Sequence, residues 1–311
     1  MFGILTFTSL KNSPFMIRTT LLAAVLVMAF AQIGFPQVST TTQDDRWQFL
    51  PGGTMFKPLV ANPQEPRVGV RKEIGSSRLK LDIGSMVDFV QFAANDSGTL
   101  RLRMGADFFT YALTTSAQGL RLQVDAVDGF FGGHIVMRCD DGPRSFTLRL
   151  RLLHLSAHLI DGHFDNATGQ WKNGQLPIPF TKDFGELTAA YEFPLAWSRC
   201  LVYSGFNYAT LVRPTDIKRI MTLHGIELRT RDNFATVLGK PFALYTAYNI
   251  TLTGVPSYIG TNVVEAGVKF GRWDDIGLKF YVNYVSGLEF FSQYYNVRRN
   301  MGGLGFAVDF Y

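Results

Sequence analysis

The sequence predicts an all-β fold: a closed antiparallel transmembrane β-barrel of about twelve strands, with ten also possible, preceded by a proline-rich extended arm. Three observations predict this fold: a secretory signal near the N-terminus, long segments in which apolar and polar residues alternate, and a C-terminal strand with an aromatic end. Soluble strands are usually about 5–6 residues long, whereas a tilted strand needs about 9–11 residues to cross a membrane. Alternation alone would also fit a soluble β-sandwich, so strand length and the two terminal signals decide the prediction.

Composition excludes several other classes of protein. Hydrophobic residues make up 47% of the 311 residues, enough apolar surface to offset the entropy of an unfolded chain. Only 18% of the residues are charged, which is below the share typical of soluble domains. Two cysteines, Cys139 and Cys200, cannot supply a disulfide framework, and no apolar run outside the N-terminus is long enough for a transmembrane helix.

Residues 1–31 are predicted to be a secretory signal peptide. Met16 opens a segment in which Arg18 supplies a positive start, residues 21–30 an apolar core, and Ala29-Phe30-Ala31 a cleavage site. The residues before Met16 fit no part of this pattern, so translation could start there. The apolar core is too short to cross a membrane as a helix.

Residues 32–77 are predicted to form a periplasmic arm or plug. The segment is marked by its prolines: Pro36, Pro51, Pro58, Pro63 and Pro66. Prolines at this density disfavour helices and central strands. Phe49, Phe56 and Leu59 are among several apolar residues that a solvated linker would not carry, so we expect the arm to be ordered.

From Arg78 to the C-terminus, the barrel region, the sequence alternates with a period of two, which places apolar side chains on one face of each strand. Twelve strands are predicted, at residues 78–92, 100–113, 119–128, 130–139, 145–160, 185–194, 199–212, 217–230, 241–254, 261–271, 275–290 and 301–311. This count requires a tight turn at Asp128-Gly129, because single-chain bacterial barrels have even strand numbers. The longest connection, residues 161–185, is then extracellular, and the short turns are periplasmic.

Because the outward face of a membrane barrel meets lipid, charged side chains are predicted to line the lumen. These lumen residues include Arg101, Arg103, Arg121, Arg149, Arg151, Asp107 and Asp125. Both signs of charge are present, so the interior can neutralise itself through ion pairs. The arginines could instead select anions in a narrow pore. The leading functional predictions are therefore a structural role and a narrow conduit for a small solute.

Residues 153–164 contain three of the five histidines. In a strand, His154, Ser156 and His158 share one face, which we expect to point into the lumen because the leucines on the other face should meet lipid. This phase is opposite to that of Arg149, so the interpretation requires a β-bulge near Leu152.

A serine beside a histidine can act as a nucleophile and its general base, here Ser156 with His154 or His158, and Asp161 could orient the histidine. The stretch is similar to the same-strand His-x-Ser pairs of outer-membrane lipid A deacylases. A lipid-modifying hydrolase is therefore the first alternative function. A hydrogen-bonded polar cluster within the wall is the other interpretation of the same residues.

The predicted partners follow from the predicted location. We expect outer-membrane lipids and lipopolysaccharide around the barrel, and the barrel assembly machinery to recognise the last strand through Leu304, Phe306, Val308 and Phe310. A second alternative function is a surface-binding module that uses loop 161–185. The sequence contains no phosphate-binding or zinc motif, and we predict no cofactor, no metal ion and no nucleic acid.

Two stretches resemble the domain-of-unknown-function family DUF1207. One runs from Phe49-Leu50-Pro51 through residues 56–63 to Pro66-Arg67, and the other covers residues 154–161. The resemblance extends over residues 47–311 and implies a protein of the bacterial outer membrane or cell envelope, without an established activity. The family's usual Gly-Asp-Glu after the second histidine reads Ile160-Asp161-Gly162 here, which removes one carboxylate that catalysis could have used.

Overall fold

A computed structural model of the chain describes residues 46–117, 121–231 and 234–310. Its main feature is a closed antiparallel barrel of 12 strands, as predicted. The strands are β1 Val68–Glu73, β2 Arg78–Ala93, β3 Leu100–Ala117, β4 Arg121–Asp141, β5 Arg144–Leu159, β6 Phe180–Leu195, β7 Ser198–Arg213, β8 Ile220–Thr230, β9 Lys240–Val255, β10 Ser257–Phe270, β11 Gly277–Leu288 and β12 Arg298–Asp309. Short strands Trp47–Phe49 and Ala235–Val237 pair with β2 and β9, and Phe164–Asp165 pairs with Gln170–Trp171.

The barrel closes where β1 joins β12 to β2. Residues 303–308 of β12 pair with β1, and β1 pairs in turn with residues 79–82 of β2. With 6 residues, β1 is the shortest strand of the barrel. We call the end of the barrel that holds Val68 and Asp309 the terminal end, and the opposite end the distal end.

Ten of the predicted strands agree with the structure in order and, to within a few residues, in extent. The predicted turn at Asp128-Gly129 is wrong, because β4 is one strand of 21 residues. Asp128 lies in the middle of this strand, where its buried carboxylate accepts hydrogen bonds from the main-chain N–H and the hydroxyl of Ser292 at 2.9 and 2.5 Å.

The twelfth strand is β1, which comes from the segment predicted to be the arm, so the barrel begins at Val68 rather than near residue 78. The predicted signal peptide lies outside the described residues. Among those residues, no helix has both the length and the apolar content that crossing a membrane would require.

Alternation along the strands gives the barrel an apolar outer surface. Phe108, Leu152 and Phe206 are exposed on the outside, while their strand neighbours Asp107, Arg151 and Asn207 are buried inside. Charged residues occupy the centre and the terminal end of the lumen, and a hydrophobic core lies mainly towards the distal end. Ion pairs of Arg78 and Arg299 with Glu73 and Glu289 accompany this core at the distal end.

Residues 51–66, which we call the plug, fill the lumen on its terminal side. Met55, Phe56 and Leu59 of the plug are buried. Its main chain is tied to the wall, because the Met55 N–H donates to Asp88 at 2.8 Å and the Val60 N–H donates to Glu227 at 2.6 Å. The ordered plug agrees with the apolar character that the sequence assigns to this segment.

Two connections close the distal end, and we call residues 160–179 and 289–297 together the distal seal. Phe290 and Phe291 are buried in the hydrophobic core of the lumen. The Gln293 amide donates to the carbonyls of Ala157 and Ile178 at 2.7 and 2.9 Å. Gln175 donates in turn to the Gln293 carbonyl at 3.0 Å, so the two connections are joined to each other and to the wall.

Candidate functional sites in the lumen and on the outer wall

Four buried charges form the centre of the lumen. Arg149 donates to both carboxylate oxygens of Glu65, at 2.9 and 2.5 Å. Arg151 donates to Glu186 at 3.0 and 2.7 Å, and more weakly to Glu65 at 3.4 Å. The Arg149 guanidinium also lies 4.0 Å from the ring centre of Phe56. Because two cations meet two anions, the formal charges of this central cluster sum to zero.

A second network joins the plug to β2, β3 and β4. The His134 ring contacts Asp88 through Nε2 at 2.9 Å and Asp107 through Nδ1 at 2.6 Å. Carboxylates only accept hydrogen bonds, so this geometry requires an imidazolium that donates from both nitrogens. Gly105 makes room for the ring, because a Cβ at this position would lie 2.5 Å from His134 Nε2.

The structure places six of the seven predicted lumen residues inside the barrel. Arg149, Arg151, Asp107 and Asp125 are buried. Arg101 and Arg103 line the lumen near the terminal end. The side chain of Arg121 is the one outside the described residues. The prediction of a charged, self-neutralising interior is therefore accurate for the central cluster, although the sequence did not identify its acidic partners Glu65 and Glu186.

A cavity of about 610 Å³ lies between the plug and the wall and faces the terminal end. Its lining holds eight Lys and Arg side chains and four Asp and Glu side chains. Lys57 of the plug belongs to this lining, and burial lowers the pKa of its ammonium group to about 8. The side chains of Trp273 and Phe56 add apolar surface to the cavity.

The predicted bulge near Leu152 and the predicted lumen orientation of the Ser/His face are both wrong. β5 pairs with β4 and β6 without a register shift, and it keeps one phase from end to end. His154, Ser156 and His158 consequently lie on the outer wall. The alternating residues Leu153, Leu155, Ala157 and Leu159 are buried in the lumen, where the hydrophobic core takes up an apolar face as readily as lipid does.

On the outer wall His154 has a carboxylate partner that the sequence did not identify. Its Nδ1 lies 2.5 Å from Oδ1 of Asp183, the residue opposite it on β6. The imidazole also packs against Phe131 with the ring centres 4.8 Å apart. An Nδ1–H that donates to Asp183 leaves Nε2 of the neutral ring as an acceptor. The sequence prediction placed Asp183 in the loop 161–185, before the predicted strand, so it did not mark this carboxylate.

Ser156 lies two residues from His154 on the same face, and among the described residues no hydrogen bond joins it to either histidine. Gly129 stands opposite Ser156 on β4, and a Cβ there would meet no atom closer than 4.0 Å. The space beside the serine is therefore open. The side chain of Asp161, the predicted orienting carboxylate, lies outside the described residues.

A second Ser–His pair on the outer wall was also missed. The Ser204 hydroxyl lies 2.9 Å from Nδ1 of His224, which faces it across β7 and β8. His224 Nε2 lies 3.2 Å from the Thr222 hydroxyl. This pair has no carboxylate among its hydrogen-bond partners. Within the described ranges, no group of three or more His, Cys, Asp and Glu residues is arranged to hold a metal ion.

The family model described as "Protein of unknown function (DUF1207)" matches residues 39–310. The chain belongs to the DUF1207 family. This match covers the plug, the whole barrel and the distal seal, so the DUF1207 region includes every site described above. No curated protein sequence matches the chain.

Several solved structures are similar to the DUF1207 barrel. The β-domain of the Bordetella autotransporter BrkA has 14% identity and a TM-score of 0.46, over 78% of this chain and 97% of that one. OmpT, an outer membrane protein of Vibrio cholerae, has 11% identity and a TM-score of 0.34, over 81% and 99%. A bacterial polysaccharide outer membrane secretin has 9% identity and a TM-score of 0.33, over 79% and 97%. Identities this low say nothing about the role of the DUF1207 barrel.

Proposed function

We propose that this protein is an integral outer-membrane barrel with a sealed lumen, and that its role is structural rather than that of a solute conduit. The observation that carries the proposal is the filling of the lumen from both ends, by the plug and by the distal seal. A conduit needs a continuous water-filled path, whereas here a hydrophobic core and a neutralised charge cluster follow one another along the axis.

The outer surface supports a membrane location. Apolar side chains such as Phe108, Leu152 and Val282 are exposed on the outside of a closed barrel, where a soluble protein would place polar residues. The terminal end faces the periplasm in this proposal, because the longest connection of the barrel belongs to the distal seal. Outer-membrane lipids and lipopolysaccharide then surround the wall, and loop 160–179 serves closure rather than partner binding.

The outward face of β12 supports recognition by the barrel assembly machinery. Leu304, Phe306 and Phe310 are exposed, and Val308 alternates with them on the same face. The strand pairs with both neighbours through its main chain, so these side chains remain available on the outside during insertion.

Conductance of the purified, refolded protein in planar bilayers tests the sealed lumen. We expect no stable conductance steps from the wild type. A variant that lacks residues 51–66 and carries a short turn in place of residues 289–297 is the positive control and should conduct. Reproducible steps from the folded wild type would overturn the proposal. Folding of both samples is checked by the heat-dependent mobility shift of intact barrels in gel electrophoresis.

A specific observation favours one second candidate, hydrolysis of an acyl ester in the outer leaflet. The Asp183–His154 hydrogen bond orients an imidazole on the outer wall beside Ser156, near the distal rim of β5. A carboxylate that holds a histidine next to a serine hydroxyl is the arrangement of nucleophilic hydrolases. The outward position corrects the predicted one, and a hydroxyl on the outer wall would face the surrounding lipid, which supports this candidate.

In this candidate reaction the Ser156 Oγ attacks the ester carbonyl while His154 Nε2 takes the hydroxyl proton. The carbon–oxygen bond to the leaving alcohol then breaks, and the imidazolium returns its proton to that oxygen. Water attacks the acyl-serine with His154 again as the base, which releases a fatty acid and restores the hydroxyl. Asp183 holds the Nδ1–H and stabilises the imidazolium throughout.

Mass spectrometry of outer-membrane lipids from cells that express each variant tests this candidate. We expect the wild type to remove an acyl chain, Ser156→Ala to remove none, and Asp183→Asn to be slower by about 10⁴-fold. Ser204→Ala is the matched control, because it removes an outward hydroxyl that lies beside a different histidine, His224, and it should retain full activity. Identical lipid profiles with and without the folded wild type would contradict the candidate.

A further inference from the structure

The cavity at the terminal end is a dead-end chamber in the sealed barrel. The plug forms one side of it through residues 52–58, and the terminal ends of β3 to β8, β11 and β12 form the other. A volume of about 610 Å³ lies in the range of small-molecule sites, which is about 300–1,000 Å³. Because the centre of the lumen is filled, a solute would enter and leave by the same mouth.

The charges around this cavity do not cancel, in contrast to those of the central cluster. Arg199 and Arg229 both donate to one oxygen of a single carboxylate, Oε1 of Glu192, at 2.5 Å each. Nearby, Arg101 and Arg138 share one carboxylate through its two oxygens: Arg101 donates to Oδ2 of Asp140 and Arg138 donates to Oδ1. Each set of two arginines and one carboxylate therefore carries a net formal charge of +1.

The surplus guanidinium groups retain donors that can reach a ligand. An arginine has five N–H donors in a planar fork, and one shared carboxylate uses only part of this capacity. Between about a tenth and a third of each of the Arg101, Arg138, Arg199 and Arg229 side chains is exposed. They are accessible to solute in the chamber but held in place by their carboxylates, so little side-chain entropy is lost when an anion binds.

We propose that this chamber binds a soluble polyanion from the periplasmic side, with one carboxylate or phosphate group at the Arg199/Arg229 pair and another at the Arg101/Arg138 pair. Two cationic groups on strands separated around the barrel select ligands with two separated acidic groups over single-charge anions. The buried Trp273 ring, with the Arg229 guanidinium 5.1 Å from its centre, helps to hold this guanidinium in place. The proposal rests on the sealed lumen, since an open pore would give the anion a second exit.

Isothermal titration calorimetry on the full-length protein, refolded in a neutral detergent, tests the proposal. Tripolyphosphate and citrate are the probes for phosphate and carboxylate ligands, and acetate is the single-charge comparison. We expect saturable binding of at least one polyanion, with acetate at least 100-fold weaker and affinity falling as sodium chloride rises from 50 to 300 mM. The relative affinities of the two polyanions decide which acidic group the chamber prefers.

Arg138→Gln with Arg199→Gln removes one donor from each pair and should weaken polyanion binding at least 10-fold. Arg144→Gln is the matched control, because Arg144 is exposed in the turn next to Arg138's strand but lies outside the cavity lining, and should bind within twofold of the wild type. Equal binding by the double variant and the wild type, or no binding of either polyanion by the folded wild type, would overturn the proposal. The conductance measurement on the wild type tests the sealed lumen, and calorimetry tests anion binding. Failure of the seal and failure of anion binding are therefore distinguishable.

Discussion

At the scale of single residues, Glu65 connects the plug to the wall. Its two carboxylate oxygens serve Arg149 and Arg151, which come from the same strand and are fully buried. Without Glu65, Glu186 alone would face two buried guanidinium groups. The free energy of the cluster therefore depends on the plug being present.

Glu65→Ala is expected to lower the free energy of unfolding by about 3–5 kcal/mol, because it leaves a buried positive charge uncompensated. Urea unfolding from lipid vesicles, followed by tryptophan fluorescence, measures this change. Asp96→Ala is the control: it breaks the exposed ion pair with Arg46 and should cost at most about 1 kcal/mol. A loss from Glu65→Ala no larger than that of the control would contradict the role assigned to Glu65.

Lys57 gives the stability of the barrel a pH dependence at the alkaline side. Burial lowers its pKa from 10.5 to about 8 in the folded chain, with Asp274 as the main opposing charge. Between these two pH values the unfolded chain binds the extra proton, so the free energy of unfolding rises with pH across this window.

The stability difference between wild type and Lys57→Met should change by on the order of 2–3 kcal/mol between pH 7 and pH 10.5, in favour of the wild type at the higher pH. Urea unfolding at a series of pH values measures the difference, and subtraction removes the groups common to both proteins. Parallel pH profiles of the two proteins would show that Lys57 keeps its ordinary pKa.

At the scale of elements, alternation in the sequence predicts the strands well but not which face is inside. Arg149 and Arg151 are correctly placed in the lumen because charges have no place in lipid. Residues 153–159 carry an alternation of the same period, and their apolar face was assigned to lipid. The structure buries that face against the distal seal, a contact between residues far apart in sequence that no local pattern contains.

Contacts between residues far apart in sequence also explain the two misassigned strands. Asp128-Gly129 has the composition of a hairpin turn, but Asp128 is held in an extended strand by Ser292 of the distal seal. Residues 68–73 follow a proline-rich segment and are too short to stand out, yet the open edges of β2 and β12 recruit them as β1. For the outer-wall site, the sequence indicated His154 and Ser156, whereas Asp183 required the pairing of β5 with β6.

Deletion of residues 46–73 should prevent formation of a closed barrel, because it leaves β2 and β12 with unpaired edges. The measurement is the heat-dependent mobility shift after refolding into detergent micelles, which we expect to be lost. A permuted chain that carries residues 46–73 after Phe310 through a flexible linker restores the same strand from the same end and should recover the shift. A shifted band from the deletion variant would indicate that eleven strands can close.

At the scale of the whole molecule, the plug and the distal seal are two closures with separate hydrogen bonds to the wall. The plug is tied to β2, β5 and β8, whereas residues 289–297 are tied to β4 and β5. Val60 and Ala61 of the plug share the hydrophobic core with Phe290 and Phe291, but each closure has its own hydrogen bonds to the wall. We therefore expect either closure to stay in place when the other is removed, so that loss of one closure alone does not open the lumen.

Variants that lack only the plug residues 51–66, or only residues 289–297, should remain non-conducting in planar bilayers, while the variant that lacks both conducts. The comparison of three folded variants under the same voltage checks this expectation. Steady conductance from one of the single variants would assign the seal to the missing segment alone.

The position of the plug directly before β1 has a consequence for how the barrel would open. β1, which completes the barrel, and the plug, which fills the lumen, belong to one continuous segment of the chain. Both parts are anchored at the terminal end of the barrel, where β1 pairs with β2 and β12 and residues 52–58 of the plug line the open chamber. A change that frees β1 from its neighbours would therefore release the plug as well, so one loosened segment would both open the wall and empty the terminal side of the lumen.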